Sequence, residues 1–343
     1  MNHSLHSSRE LLREKLLSLL WRQWSALGVA GHSNSSDNWV IDPEALLLFS
    51  TEIARHDPRL FDEILDWLQL NGSRINLIRL NRIHKEEKLG VASALAAIGE
   101  TLSQSSLHHK WKSLTKLSTF DQSKDTAAPF FPQALSFDWE KFVQQPDPHF
   151  SRHGWLRTPP ERRKMSMPPQ PHAATNFLFK LRALFGIQTR AEIIAWLLCH
   201  PQGHPAEIAR QTHYSKRIIQ QTLNELETSG HIISRRSKKE KHFRIVHSQW
   251  EFLNQGSQGS DKSFPRWINW PPLFTALSTL HRTLSTPGID EASDIFQAVQ
   301  LRTAFEQAGI PLDFTTTSHQ TGTDYLHTLL NDFQALLEEL TPG

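Results

Sequence analysis

The stretch 189–246 constrains the fold more than any other part of this chain, because its start and stop signals come in one order. Thr189 can cap a helix carrying Ile193, Ile194, Trp196 and Leu197, which the Pro and Gly of 201–203 end. Pro205 can open a second short helix with Ile208 and Ala209, and His213-Tyr214 forms the turn after it. Ser215 suits the N-cap of a third helix over 216–229. On that helix Ile219, Leu223 and Leu226 stand at i, i+4 and i+7 and face one core. Gly230 supplies the stop. Two β-prone runs follow, 232–236 and 242–246, around the polar tip Ser237-Lys238-Lys239-Glu240-Lys241.

Three helices and then a basic hairpin is the winged helix-turn-helix order, and its suitability for DNA is geometric. A helix fits the major groove and can present hydrogen-bonding side chains to base edges. The face of helix 216–229 opposite its core offers Lys216, Arg217, Gln220, Gln221 and Asn224, with no acid before Glu225. Arg can bond guanine in two places, and Gln or Asn can do the same to adenine. Arg217, Gln220, Gln221 and Asn224 are therefore the base-contact candidates. Ser215, Lys216, Arg235, Arg236, Lys238, Lys239 and Lys241 are the candidates for phosphate and wing contacts.

Residues 206–232, AEIARQTHYSKRIIQQTLNELETSGHI, resemble the core of bacterial winged helix-turn-helix transcription regulators of the MarR/ArsR kind. Glu207-Ile208-Ala209 matches the start of that family's second helix. Ser215, Ile219, Leu223, Leu226 and Gly230 match its recognition-helix framework. The resemblance covers about a quarter of the chain. It implies sequence-specific binding of double-stranded DNA, transcriptional regulation and a homodimer on two-fold sites. Some such regulators stand beside nucleotidyltransferase-like toxins. The alternative it leaves open is an antitoxin or protein-interaction module that neutralises a partner protein, with DNA binding secondary.

Charge supports an acidic partner once it is divided. The 343 residues carry a formal net charge of only +2. Residues 150–250 hold 17 Lys and Arg against 6 Asp and Glu, so the remainder is anionic. Asymmetry of this kind points to nucleic acid more than the average does.

The rest of the chain reads as mainly α. Residues 1–118 form an N-terminal helical domain, with Asp42-Pro43 and Asp57-Pro58 as helix starts and Asn71-Gly72 as a stop. The motif E-I-(L/I)-x-W-L occurs at 63–68 and again at 192–197. It marks 42–103 as a candidate divergent, degenerate copy of the winged unit. Its third helix, 90–102, has Ala and Ser where a base reader needs Arg, Gln or Asn. Arg74, Arg79, Arg82, Lys85 and Lys88 could touch phosphates or line a solvated face. Residues 119–172 read as an irregular Pro-rich basic linker, 173–253 as the DNA-binding domain, 254–263 as a Gly/Ser linker, and 264–343 as a C-terminal helical domain. In the last, Leu326, Leu329, Leu330, Phe333, Leu336, Leu337 and Leu340 share a face that suits intrachain core or an interface.

Catalysis, metal and membrane have little support. There is no Gly-rich phosphate loop, GxSxG, Walker-type sequence or HExxH, so no enzyme activity and no cofactor are expected. Cys199 is the single cysteine, which excludes an intrachain disulfide framework and suits a reducing cytoplasm. Pro201 interrupts the i, i+4 spacing of His200 and His204, so no metal site is read. His213, His231 and His242 lie in or beside the DNA-facing unit and would add positive charge below neutrality. No apolar run reaches the roughly 18–20 residues of a membrane span.

Overall fold

The computed structural model describes residues 5–31, 37–132, 145–237, 240–254, 264–309 and 320–341. The chain is mainly helical. Five helices open it: α1 (Leu5–Ala26), α2 (Pro43–Ile53), α3 (Pro58–Asn71), α4 (Leu77–Glu87) and α5 (Ala92–Ser103). A 3-10 stretch, Ser106–Leu117, follows. Asp42 and Asp57 cap α2 and α3 through bonds from Ala45 N (3.1 Å) and Leu60 N (3.0 Å), each with proline at the first helical position.

These helices share one hydrophobic core with the last three, α10 (Trp270–Leu284), α11 (Asp294–Ala308) and α12 (Gly322–Leu340). Leu16, Leu20 and Trp24 of α1 lie in the same cluster as Phe274, Leu277, Leu329, Phe333 and Leu337. Phe49 stacks on Phe274 at 4.4 Å, and Trp24 meets Trp67 edge-on at 5.2 Å. The apolar stripe of 326–340 is thus intrachain core. Helix α5 is enclosed, with Leu95, Ala96, Ala97, Ile98 and Gly99 all buried, and the 3-10 stretch follows it where a hairpin would be needed. That copy offers no helix face for reading bases.

Residues 119–172 follow the body closely where they are described. The two-residue parallel pair β1 (Ala128–Pro129) and β2 (Trp155–Leu156) brings Phe130 and Phe150 against Phe61. The Arg157 guanidinium lies over Phe131 and Phe150 and pairs with Asp62. Glu161 N donates to Asp62 (2.9 Å), and Arg163 stands 3.6 Å from Glu63. The basic strap therefore covers α3 at Asp62 and Glu63. Met167 N donates to Gly28 O at 2.7 Å. Gly28 has φ +104°, and a Cβ there would meet Met167 O at 2.4 Å, so only glycine permits this approach.

A second core lies within 177–253, with Val40 added from the first segment. It comprises α6 (Phe177–Phe185), α7 (Thr189–Leu198), α8 (Pro205–Thr212) and α9 (Lys216–Thr228), then the antiparallel pair β3 (Ile232–Ser237) and β4 (Glu240–Ile245). Ile208, Ile219, Leu223, Ile232, Phe243 and Ile245 share this core with Trp196. Gly203 docks the hairpin: it exchanges backbone bonds with Phe243 at 2.8 and 2.9 Å. A Cβ on Gly203 would lie 2.2 Å from the Trp196 ring. Gly203→Ala should therefore destabilise this unit by about 1–3 kcal/mol through overpacking. Urea denaturation followed by tryptophan fluorescence checks this, and an unchanged midpoint refutes it.

Candidate nucleic-acid interface

Helix α9 is amphipathic, and its apolar side fixes which side chains face outward. Ile219, Thr222, Leu223 and Leu226 are buried, while Lys216, Arg217, Gln221 and Asn224 are exposed and Gln220 is partly so. Arg217 and Asn224 lie seven residues apart on one line of the helix, flanked by Gln220 and Gln221. Gln220 Nε2 donates to Asn224 Oδ1 (3.1 Å), which orders two of the four base-contact candidates on one surface. Gln221 bonds Glu225 at 3.1 Å, and Glu225 also pairs with Arg190 at 2.9 Å, so the first acid on the helix is already engaged. Ser215 accepts from Ile218 N at 3.4 Å and serves as the N-cap.

The hairpin divides the remaining candidates. Arg235 and Arg236 are exposed on β3, opposite His242 and Lys241. Lys241 pairs with Glu227 and lies 4.8 Å from the Phe243 ring centroid. Glu227 also accepts from Ser234, and Lys241 together with Ser234 holds its carboxyl below the usual carboxylate range. Lys241 thus fastens the hairpin to the end of α9. Lys238 and Lys239 lie outside the described residues.

The turn before α9 is clamped by a buried ion network in which Arg79, expected at phosphates or on a solvated face, is enclosed, and in which Glu44, Arg182 and Glu192 were not singled out from the sequence. Glu44 is fully buried at the first turn of α2 and accepts from Arg79 Nη1 and from both terminal nitrogens of Arg182, each at 2.7 Å. Arg182 continues to Glu192 on α7 at 2.6 Å. Arg79 also pairs with Asp42 and donates to Thr212 O (2.8 Å), at the end of α8. Asn76 Nδ2 donates to Tyr214 Oη at 2.8 Å. Burial opposes the charge on Arg182, but Glu44 and Glu192 outweigh it and hold its pKa above the ordinary value. Burial likewise opposes ionisation of Asp42, but Arg79 outweighs it and holds the pKa down. Glu192 goes the other way: burial pushes its pKa up.

His213 belongs to this clamp and not to a DNA-facing surface. It adopts φ +55°, is buried, and bonds Glu86 at 3.0 Å. Burial lowers its pKa, with Arg79 adding to the effect, so it stays neutral where a free histidine would begin to charge. Burial also pushes the Cys199 thiol up to about 12, which leaves no thiolate for nucleophilic chemistry near neutral pH.

Among the described residues, no group of three or more His, Cys, Asp and Glu side chains is placed to hold a metal ion. Among the same residues, no helix is long and apolar enough to cross a membrane. Comparison with protein-family models, with curated proteins and with solved structures finds no match for this chain.

Proposed function

We propose that this chain is a sequence-specific, double-stranded DNA-binding transcriptional regulator, with 173–253 acting as a winged helix-turn-helix. Helix α9 enters the major groove with Arg217, Gln220, Gln221 and Asn224 toward base edges. Lys216, Arg235 and Arg236 meet phosphates beside it. The single observation that carries this is the exposed, polar outer face of α9, free of acids until Glu225 and held on a clamped turn. A rigidly placed helix is what base readout needs, because a bidentate contact tolerates little misalignment. A homodimer on a two-fold site is the natural arrangement for such a module.

Arg217→Ala should cost about 1–3 kcal/mol on the preferred sequence and relax preference at one base position. Selection of bound duplexes from a random pool, followed by fluorescence anisotropy at fixed salt, checks both. Specific binding retained at full strength would remove Arg217 from the readout.

A protein-interaction or antitoxin role is the second reading. It is favoured by Ile295, Phe296 and Val299 on α11, which are 62, 50 and 52% exposed. A stoichiometric co-purified protein with no salt-sensitive DNA binding would favour it over the first.

A further inference from the structure

Two segments of the N-terminal body meet beside the turn that leads into α9, and neither contains an acid. Residues 72–85 carry Arg74, Arg79, Arg82 and Lys85 without an Asp or Glu. Residues 104–119 carry Lys110, Lys112 and Lys116, again without one. Lys110 joins the two segments: its Nζ donates to Ser73 O (2.9 Å) and Ile75 O (2.7 Å). Ile75 precedes Asn76, whose side chain bonds Tyr214, two residues before Lys216. The start of α9 and this basic surface are therefore linked by a short run of bonded neighbours.

The cations on this surface differ in what is left for a partner. Arg79 is buried in the ion network, and Arg82 is paired with Glu86 at 2.8 Å. Lys88 caps α4 in the left-handed conformation. Arg74, Lys112 and Lys116 are exposed. In a 3-10 helix side chains three apart eclipse one another, so Lys110, Ser113 and Lys116 line one edge while Trp111 and Leu114 go inward. Lys112 lies on the neighbouring outward edge, four residues or roughly 8 Å along the stretch from Lys116. The nearby acids are committed elsewhere: Glu44 is buried in the clamp, Glu100 pairs with Arg152, and Asp121 pairs with Lys124.

We infer that Arg74, Lys112 and Lys116 form a second DNA contact, a sequence-independent track for the phosphate backbone flanking the base pairs that α9 reads. The inference rests on the DNA-binding reading and extends the footprint from the winged unit onto the N-terminal body. The strap at 157–164 is not part of this track, because Arg157 and Arg163 are turned to Asp62 and Glu63.

The test is the salt dependence of binding to a 30-base-pair duplex of mixed sequence, for the whole chain and for a triple variant, Arg74→Gln with Lys112→Gln and Lys116→Gln. Each lost phosphate contact lowers the slope of log K against log salt by about 0.9, so the triple variant should lose about 2–3 from the slope. Its sequence preference in the random-pool selection should not change. Matching circular dichroism melts establish that the variant is folded. The charge-reversed triple, with glutamate at the same positions, should weaken binding further and guards against a folding defect of one variant. An unchanged slope in both triples overturns the track while leaving α9 as the reader. Failure of the unaltered chain to bind any duplex at low salt overturns the reader and the track together.

Discussion

Replacing Glu44 with alanine should lower the stability of the folded chain by about 3–5 kcal/mol. Its Oε1 accepts from Asn76 N and Arg182 Nη1, and its Oε2 from Arg79 Nη1 and Arg182 Nη2, all at 2.7 Å. Alanine leaves two guanidinium groups short of a carboxylate in a site without water contact, together with one backbone N–H. Removing one member of a buried ion cluster is costly because the others remain charged and desolvated. Glu44→Gln keeps the volume and part of the bonding, so its loss should be smaller. Thermal unfolding of the alanine variant should begin on the order of 10 °C lower. Calorimetry is the direct measurement, and an alanine variant within 1 kcal/mol of the unaltered chain would refute the clamp's energetic role. The clamp also fixes Thr212 through Arg79, so this variant should loosen the turn before α9, seen as faster amide exchange at 212–215.

Acid should destabilise the chain well before ordinary carboxylates protonate, because His56 and His281 meet inside the body. Their rings lie edge-to-face at 5.0 Å, between the end of α2 and α10. Burial, with Arg13 and Arg55 nearby, lowers His56 to about 4. Burial, with His56 and Arg13 nearby, lowers His281 to about 3. Unfolded histidine titrates near 6.5, so between that value and about 4 the unfolded chain binds more protons than the folded one. Stability is therefore full above about pH 7 and falls as pH drops through 6.5. Glu52 opposes this in part, since burial raises its carboxyl and its protonation in acid favours the folded form. Allowing for that and for solvent screening at the half-buried His56, the loss from pH 7.5 to 4.5 should be about 2–5 kcal/mol. Urea titrations of His281→Leu at both pH values should show a shallower dependence. Parallel pH profiles for variant and unaltered chain would rule the pair out as the cause.

Local signals in the sequence carried much of the fold. Asp42-Pro43, Asp57-Pro58 and Ser215 start helices where their cap chemistry requires. The residues Ile219, Leu223 and Leu226 predict the buried side of α9, and with it the exposed set that makes the candidate interface. What escaped are interactions set by distance along the chain. Arg182 and Glu44 are 138 residues apart, and a charged residue gives no sign in sequence of whether it will be solvated or buried. A hint existed in Arg182 and Glu192, each set in a nearly unbroken apolar run, where solvation is hard to arrange. Basic residues were also ambiguous. Arg157 and Lys241 count toward the cationic excess of 150–250, yet both are neutralised internally, by Asp62 and Glu227. The pattern of net charge shows where basic residues concentrate in the sequence, but not which of them are already paired within the chain.

The body's single core draws on residues from Leu12 to Leu340. During synthesis that core cannot close fully until Leu340 has emerged, whereas the unit at 177–253 holds almost all of its own core within itself. The unit at 177–253 can thus acquire its shape before that body core is complete. The buried ion network is then the joint at which the self-contained unit and the long-range core are brought into register.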